Sequence, residues 1–366
     1  MVLKTVENKY MMQLLNDWYK EMQFNHFSKA KEIREIVSDN INNLEEEDQT
    51  LLIYFSLLDY RYQLFIDNFG KADQTLDQIK PIMEQTDDLL AYYYYFFQAI
   101  HATKTGNYSN ARKYFIEAEK LLKNVPDVIE KAEFNYKVAI FYYHIHQNLL
   151  AMNYALKAKA IFEESFGYEI NAADCENILG LACTDLKQFE NAEKYFNHAL
   201  KTAEKQNHQK LYILICYNLG LLYAEQNGLS DDAIRYLNYA YENKFKLYKT
   251  TFLLAREYYK LGESDKGYIF LREGMKHCKQ SNNKEYEHHL NILDKLNNSS
   301  DEKELESAVK EGLIYFQSEG LWGFIRDYAE QLAVYFHKKN DFVKASYYFN
   351  LSYEAKQNLY EKGALK

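Results

Sequence analysis

The sequence predicts an all-α protein, a three-helix N-terminal bundle linked to a right-handed superhelical array of helical hairpins. Three observations predict it. Only 2 prolines and 13 glycines punctuate 366 residues, too few turn formers for a β or α/β chain of that length. Apolar residues follow helical spacing from the start of the chain. From Ala99 onward, small residues return in a fixed register, with turns such as KTGNYSN, DLKQFEN, KLGESDK and KKNDFVK between the paired helices.

That register defines the repeat. Two antiparallel helices that cross closely need small side chains at the crossing, and spacings of i, i+4 and i+7 put them on one helix face. Ala99 leads to Ala111, Phe115 and Ala118, and Gly180 to Ala192, Phe196 and Ala199. Ala139 leads to Ala151, Ala155 and Ala158, without the usual large residue. Gly220 leads, after one inserted residue, to Ala233, Leu237 and Ala240. Ala255 leads to Gly267, Leu271 and Gly274, and Ala333 to Ala345, Phe349 and Ser352. This is the tetratricopeptide pattern, with a degenerate unit expected over 286–317. The units recur about every 40 residues, so their helices exceed the minimal repeat of about 34. About seven repeats are expected over 91–366, with a concave inner surface.

Residues 1–70 fall outside the register and read as helices over 7–23, 27–46 and 48–68. The more polar stretch 71–90, which contains Pro81, is expected to connect the two modules.

Composition narrows the function. The net charge is −9, with 44 basic and 53 acidic residues interspersed, which disfavours a nucleic-acid partner. The N-terminal helices also lack a basic recognition segment. The 35 tyrosines and 22 phenylalanines suit helix faces that are half core and half groove. Cys175, Cys183, Cys216 and Cys278 lack CxxC spacing and read as reduced, buried thiols. His144 with His146, and His288 with His289, are spaced so that their side chains diverge on a helix, so neither pair suits a metal. No metal and no cofactor are expected, and there is no Walker loop, GxSxG, HExxH or GxGxxG motif. The opening MVLKTVENKYMM has no apolar signal core, and no run of about 18 apolar residues follows. A cytoplasmic protein is expected.

The stretch from Leu44 to Tyr62 changes abruptly from acidic to apolar. Ordinary helix capping accounts for Asp48 and Gln49 at such a start. A glutamine there can also orient a water, because its amide both donates and accepts. This stretch resembles the Rap proteins, the response regulator aspartate phosphatases and their relatives. The resemblance spans nearly the whole chain, from Asn16-Asp-Trp-Tyr-Lys20 through Glu46-Glu-Asp-Gln-Thr-Leu-Leu-Ile-Tyr54, Leu58-Asp-Tyr-Arg61 and Tyr93-Tyr-Tyr-Phe-Phe97. It continues in Glu130-Lys-Ala-Glu-Phe134 and Tyr217-Asn-Leu-Gly-Leu-Leu-Tyr223. It implies that the bundle docks on a response regulator, at its receiver or its DNA-binding domain. It also implies that Gln49 reaches the aspartyl-phosphate, while Asp48, Leu52 and Tyr60 help to dock the regulator. Gln49, Leu52 and Tyr60 can share one helical stripe, although bundle core is the ordinary reading of Leu52 and Tyr60.

Counting from Gly180 and Gly220, Asp185 and Asn218 fall at groove-lining positions of successive units. Asparagine suits an extended peptide backbone, and aspartate suits a basic group. The resemblance implies that a short Phr-type peptide binds there, with Asp294 as a further acidic contact. Peptide binding is expected to draw the bundle onto the repeats and withdraw the regulator-binding surface. Two readings follow, a peptide-gated phosphatase or a non-catalytic binder that sequesters a transcription factor from DNA. A general repeat scaffold with an unrelated partner is a third.

Overall fold

The computed structural model describes residues 2–41, 49–81, 86–299 and 301–363, and every regular element among them is a helix. The chain opens with α1 (Val2–Gln23), α2 (Phe27–Ile41), α3 (Gln49–Phe65) and α4 (Phe69–Ile79). It continues through α5 (Asp88–Lys104), α6 (Tyr108–Leu122), α7 (Val128–His144), α8 (Asn148–Glu163) and α9 (Glu169–Asp185). Then come α10 (Phe189–Lys205), α11 (Gln209–Ala224), α12 (Ser230–Glu242), α13 (Leu247–Lys260) and α14 (Ser264–Ser281). The last four are α15 (Lys284–Asn298), α16 (Glu302–Ser318), α17 (Trp322–Lys338) and α18 (Phe342–Gly363).

Caps and left-handed turn residues set the helix ends. Asn68, Asp87, Asn107 and Asp127 each accept a backbone N–H from the first turn of α4, α5, α6 and α7, a contact worth about 1 kcal/mol. Gly106, Gly228, Gly262 and Gly320 supply positive φ in the turns, where glycine carries no Cβ penalty. The hairpins α5/α6, α7/α8, α11/α12, α13/α14, α15/α16 and α17/α18 each pack helix on helix.

The small-residue register makes those crossings close. Ala99, Ala111, Ala118, Ala139, Ala151, Ala155 and Ala158 are fully buried, as are Ala192, Ala199, Ala233 and Ala240. At Gly220 a Cβ would meet Leu237 Cγ at 2.6 Å, and at Gly274 it would meet Thr251 Oγ1 at 2.8 Å. Phe115, Phe196, Leu237 and Leu271 fill the large-residue position from inside, each contributing roughly 1.5–3 kcal/mol by burial. Phe349 differs and is exposed. The blurred stretch 286–317 is the α15/α16 hairpin, whose Leu290, Ile292, Val309 and Phe316 are buried.

The chain divides into two compact units, Met1–Ala182 and Cys183–Lys366. The N-terminal helices therefore share a unit with the first repeat helices. Part of the expected connection at 71–90 is helical, since α4 packs on α3 and buries Ala72 and Ile79. All four cysteines are buried free thiols. Among the described residues no helix is long and apolar enough to cross a membrane, and no cluster of ligating side chains is placed to hold a metal ion.

Candidate functional site

The two ends of α3 differ sharply. Gln49 is the first residue of α3 and is exposed, at the end where unpaired N–H groups gather. Leu52 is half-buried. Asp48 lies outside the described residues. Further along, Tyr54 donates to Asn16 Oδ1 at 3.0 Å, and Asp59 pairs with Arg34 at 2.6 Å, tying α3 to α1 and α2. Tyr60 is fully buried, its hydroxyl 2.9 Å from His101 Nδ1 on α5. Gln49 and Leu52 are thus accessible to different degrees, and Tyr60 is closed off by the repeats. His101 is stacked on Phe69 at 5.9 Å, and burial lowers its pKa.

A buried polar junction holds α1 and α3 against α5, α7 and α9. Glu130 of α7 is 1% exposed. It accepts from Tyr92 Oη at 2.7 Å, Tyr19 Oη at 3.0 Å and Gln23 Nε2 at 3.1 Å. All three donors are neutral. Burial pushes the Glu130 carboxyl up to about 8, more than those hydrogen bonds and the charges of Glu133 and Asp127 can offset or add, because an enclosed carboxylate has lost its water. Next to it, Glu133 meets Lys137 at 3.1 Å and the buried Arg61 of α3 at 3.9 Å. Aromatic contacts close the seam, with Tyr19 edge-on to Tyr93 at 5.4 Å and Phe24 against Tyr168 at 4.9 Å. Asn171 Nδ2 donates to the Gln23 carbonyl at 3.0 Å.

Sequence reasoning assigned no role to Glu130 or Glu133. The signal lay in Glu130-Lys-Ala-Glu133, two acids at i and i+3 that both point into an otherwise apolar face, where charge is costly unless partnered.

The groove residues lie in the C-terminal unit. Asn218 is buried in the middle of α11, at 4% exposure. Asp185 is exposed at the C-terminal end of α9, where the helix dipole favours cations over anions. Asp294 is half-buried on α15, accepts from Asn298 Nδ2 at 2.9 Å, and lines a cleft of about 360 Å³ with Tyr268, Arg272 and Lys276 of α14.

Residues 5–67 match the family model described as response regulator aspartate phosphatase H, N terminal. Regulatory protein RapF of Bacillus subtilis (strain 168) is 29% identical over 92% of this chain and 91% of its own length. Regulatory protein RapG of the same organism is 30% identical over 71% of this chain and 72% of its own. A solved Rap protein complexed with Competence and Sporulation Factor superposes with a TM-score of 0.82 at 26% identity, covering 97% of this chain and 99% of that one. The chain belongs to the Rap family.

Proposed function

We propose that this protein restrains a bacterial response regulator, removing the phosphoryl group from its receiver aspartate, and that a Phr-type peptide in the repeat groove switches this off. The observation that carries the reading is the split along α3, with Gln49 presented to solvent and Tyr60 buried against His101. The matched family model is named for a response regulator aspartate phosphatase, and the compared Rap structure holds Competence and Sporulation Factor. A receiver brings its own metal and acidic pocket, so the helper has only to orient water in line with phosphorus. Gln49 can accept a hydrogen bond from the water through its amide oxygen and donate one to a phosphoryl oxygen through its amide nitrogen, while the proton of the water leaves with the phosphate. Water oxygen bonds to phosphorus, the acyl-phosphate P–O bond breaks, and free phosphate and the aspartate carboxylate result. Leu52, half-buried one turn along α3, is assigned to docking the regulator, as is Asp48, which lies outside the described residues.

Peptide gating acts through the bundle. With α1 and α3 held on α5 and α7, Tyr60 is withheld from a regulator, and release exposes it. Asp185 and Asn218 are the groove residues assigned to the peptide, with Asp294 a more distant contact. Sequestration without catalysis is the second reading, favoured by the naming of RapF and RapG as regulatory proteins. Timed loss of label from phosphorylated receivers separates the two. Gln49→Ala and Gln49→Asn should abolish phosphate release yet leave regulator binding within about twofold. Unchanged turnover would remove Gln49 from the mechanism, and binding without any turnover by the native chain would establish sequestration.

A further inference from the structure

The start of α13 carries charges in the wrong place for a helix. Lys246 is its N-cap residue and Lys249 lies in its first turn, which contains no acidic residue. Helix N-termini favour anions and repel cations. Lys246 also takes a left-handed backbone, φ 42°, which costs a non-glycine residue about 1 kcal/mol or more. Neither lysine has a carboxylate within ion-pair distance among the described residues. Instead each lies over a ring, Lys246 Nζ 5.5 Å from the Tyr217 centroid and Lys249 Nζ 5.4 Å from that of Tyr286. Lys246 remains open to solvent, yet the protein packed around its ammonium and the charge of Lys249 hold it below the usual lysine value.

The surroundings point the same way. Tyr217 immediately precedes Asn218, and counting from Ala255 puts Lys249 at the second position of its repeat, a groove-lining position. Tyr286 packs edge-on against Tyr248 at 5.2 Å and His289 at 5.0 Å. His289 is 3% exposed and its Nε2 makes no hydrogen bond. That nitrogen faces Glu285 Oε1 at 4.0 Å, beyond hydrogen-bond reach, and His289 is kept neutral by burial, with its pKa lowered to about 3. Glu285 feels the charge of Lys249, but burial and the neighbouring charge of Glu319 raise its pKa. Two cations beside an acid whose charge burial weakens leave a positive, aromatic-backed surface with an unfilled polar atom beside it.

We propose that Lys246 and Lys249, each seated over a tyrosine ring, clamp the carboxylate of an extended peptide lying in the groove of the C-terminal unit. The inference rests on the peptide-gating reading and names the chemistry of its ligand. An anion between two partly desolvated ammoniums gains charge-assisted hydrogen bonds and relieves the repulsion between them. The carboxylate is either the peptide C-terminus or an aspartate or glutamate side chain.

The test uses the full chain and random peptides of about six residues in three pools. One has free C-termini, one is amidated, and one is amidated and lacks Asp and Glu, with bound peptides read by affinity-selection mass spectrometry. Enrichment from the free-acid pool alone identifies the C-terminus, and enrichment of acidic members of the amidated pool identifies a side chain. Either supports the clamp. Lys246→Gln with Lys249→Gln should weaken the selected peptides at least tenfold without moving the thermal midpoint, and Glu285→Gln should tighten them severalfold. Equal binding by the acid-free amidated pool, or by the double lysine variant, overturns the clamp while leaving peptide gating intact. Failure of every pool overturns both.

Discussion

Two buried glutamates, one in each compact unit, are satisfied in opposite ways. Glu257 of α13 is completely buried and accepts from Lys260 Nζ at 2.8 Å, Ser230 Oγ at 2.8 Å and Arg256 Nε at 3.0 Å. Its partners include two cations of its own helix. Glu130 of α7 is as deeply buried, yet its donors are two tyrosines and a glutamine, two of them on α1. A buried carboxylate among cations belongs to a permanent core, because the charges neutralise one another wherever the unit goes. One held by neutral donors from another element leaves most of its desolvation cost unmet. At Glu130 the bundle junction is therefore the weaker of the two, with the Arg61–Glu133 pair at a long 3.9 Å beside it, and it is suited to open, which a gate requires.

The largest effect should come from breaking the permanent pair. Glu257→Ala leaves Lys260 without its acid and Arg256 with Glu225 at 3.8 Å, and should lower stability by about 2–3 kcal/mol, discounted for the partial exposure of both cations; denaturant unfolding measures it. Gly220→Ala should cost about 1–3 kcal/mol, because the new methyl group would reach Leu237 Cγ at 2.6 Å. The thermal midpoint tests this, and an unchanged midpoint would mean the crossing can relax. Tyr19→Phe removes one neutral donor and should weaken docking by about 1 kcal/mol, seen as faster hydrogen exchange in α1 and α3 with α11–α18 unaffected. An equal change in both units would erase the contrast.

Docking should also depend on pH. The Glu130 carboxyl is raised from 4.5 to about 8 in the docked arrangement, so docking takes up a proton. The docked form gains as pH falls from about 8 toward 4.5 and loses as pH rises through 8. His101 works the other way, because its lowered pKa penalises docking once pH drops below its ordinary 6.5. Exchange protection of α1 should therefore rise from pH 8.5 to about 7 and flatten below. Glu130→Gln should remove the rising limb, and a persisting slope would assign it to another group.

Much of the fold was legible because close helix crossings demand small residues at fixed intervals. Ala99, Ala111 and Ala118 are buried as that rule requires, and even the blurred 286–317 stretch is a hairpin. Phe349 kept the residue type without the burial, because periodicity reports a face and not what covers it. The site was less legible. The apolar stretch from Leu51 marked a helix, but pattern alone gave Gln49 and Tyr60 the same stripe and could not tell that α5 covers one of them. The Tyr19–Glu130 bond joins residues 111 apart, a pairing no local period encodes. Asp294 depended on register in the most degenerate repeat, and it lines a cleft with residues of α14.

Opening of the bundle can be tested by locking it. Gln23→Cys and Glu130→Cys replace long side chains whose tips meet at 3.1 Å, a reach beyond a direct disulfide, so a short bis-methanethiosulfonate linker would tie α1 to α7 through reducible bonds. The locked protein should neither bind nor dephosphorylate a phosphorylated receiver, and reduction should restore both. Equal activity before and after crosslinking, with the crosslink verified by mass, would show that regulators are engaged without the helices ever leaving the repeats.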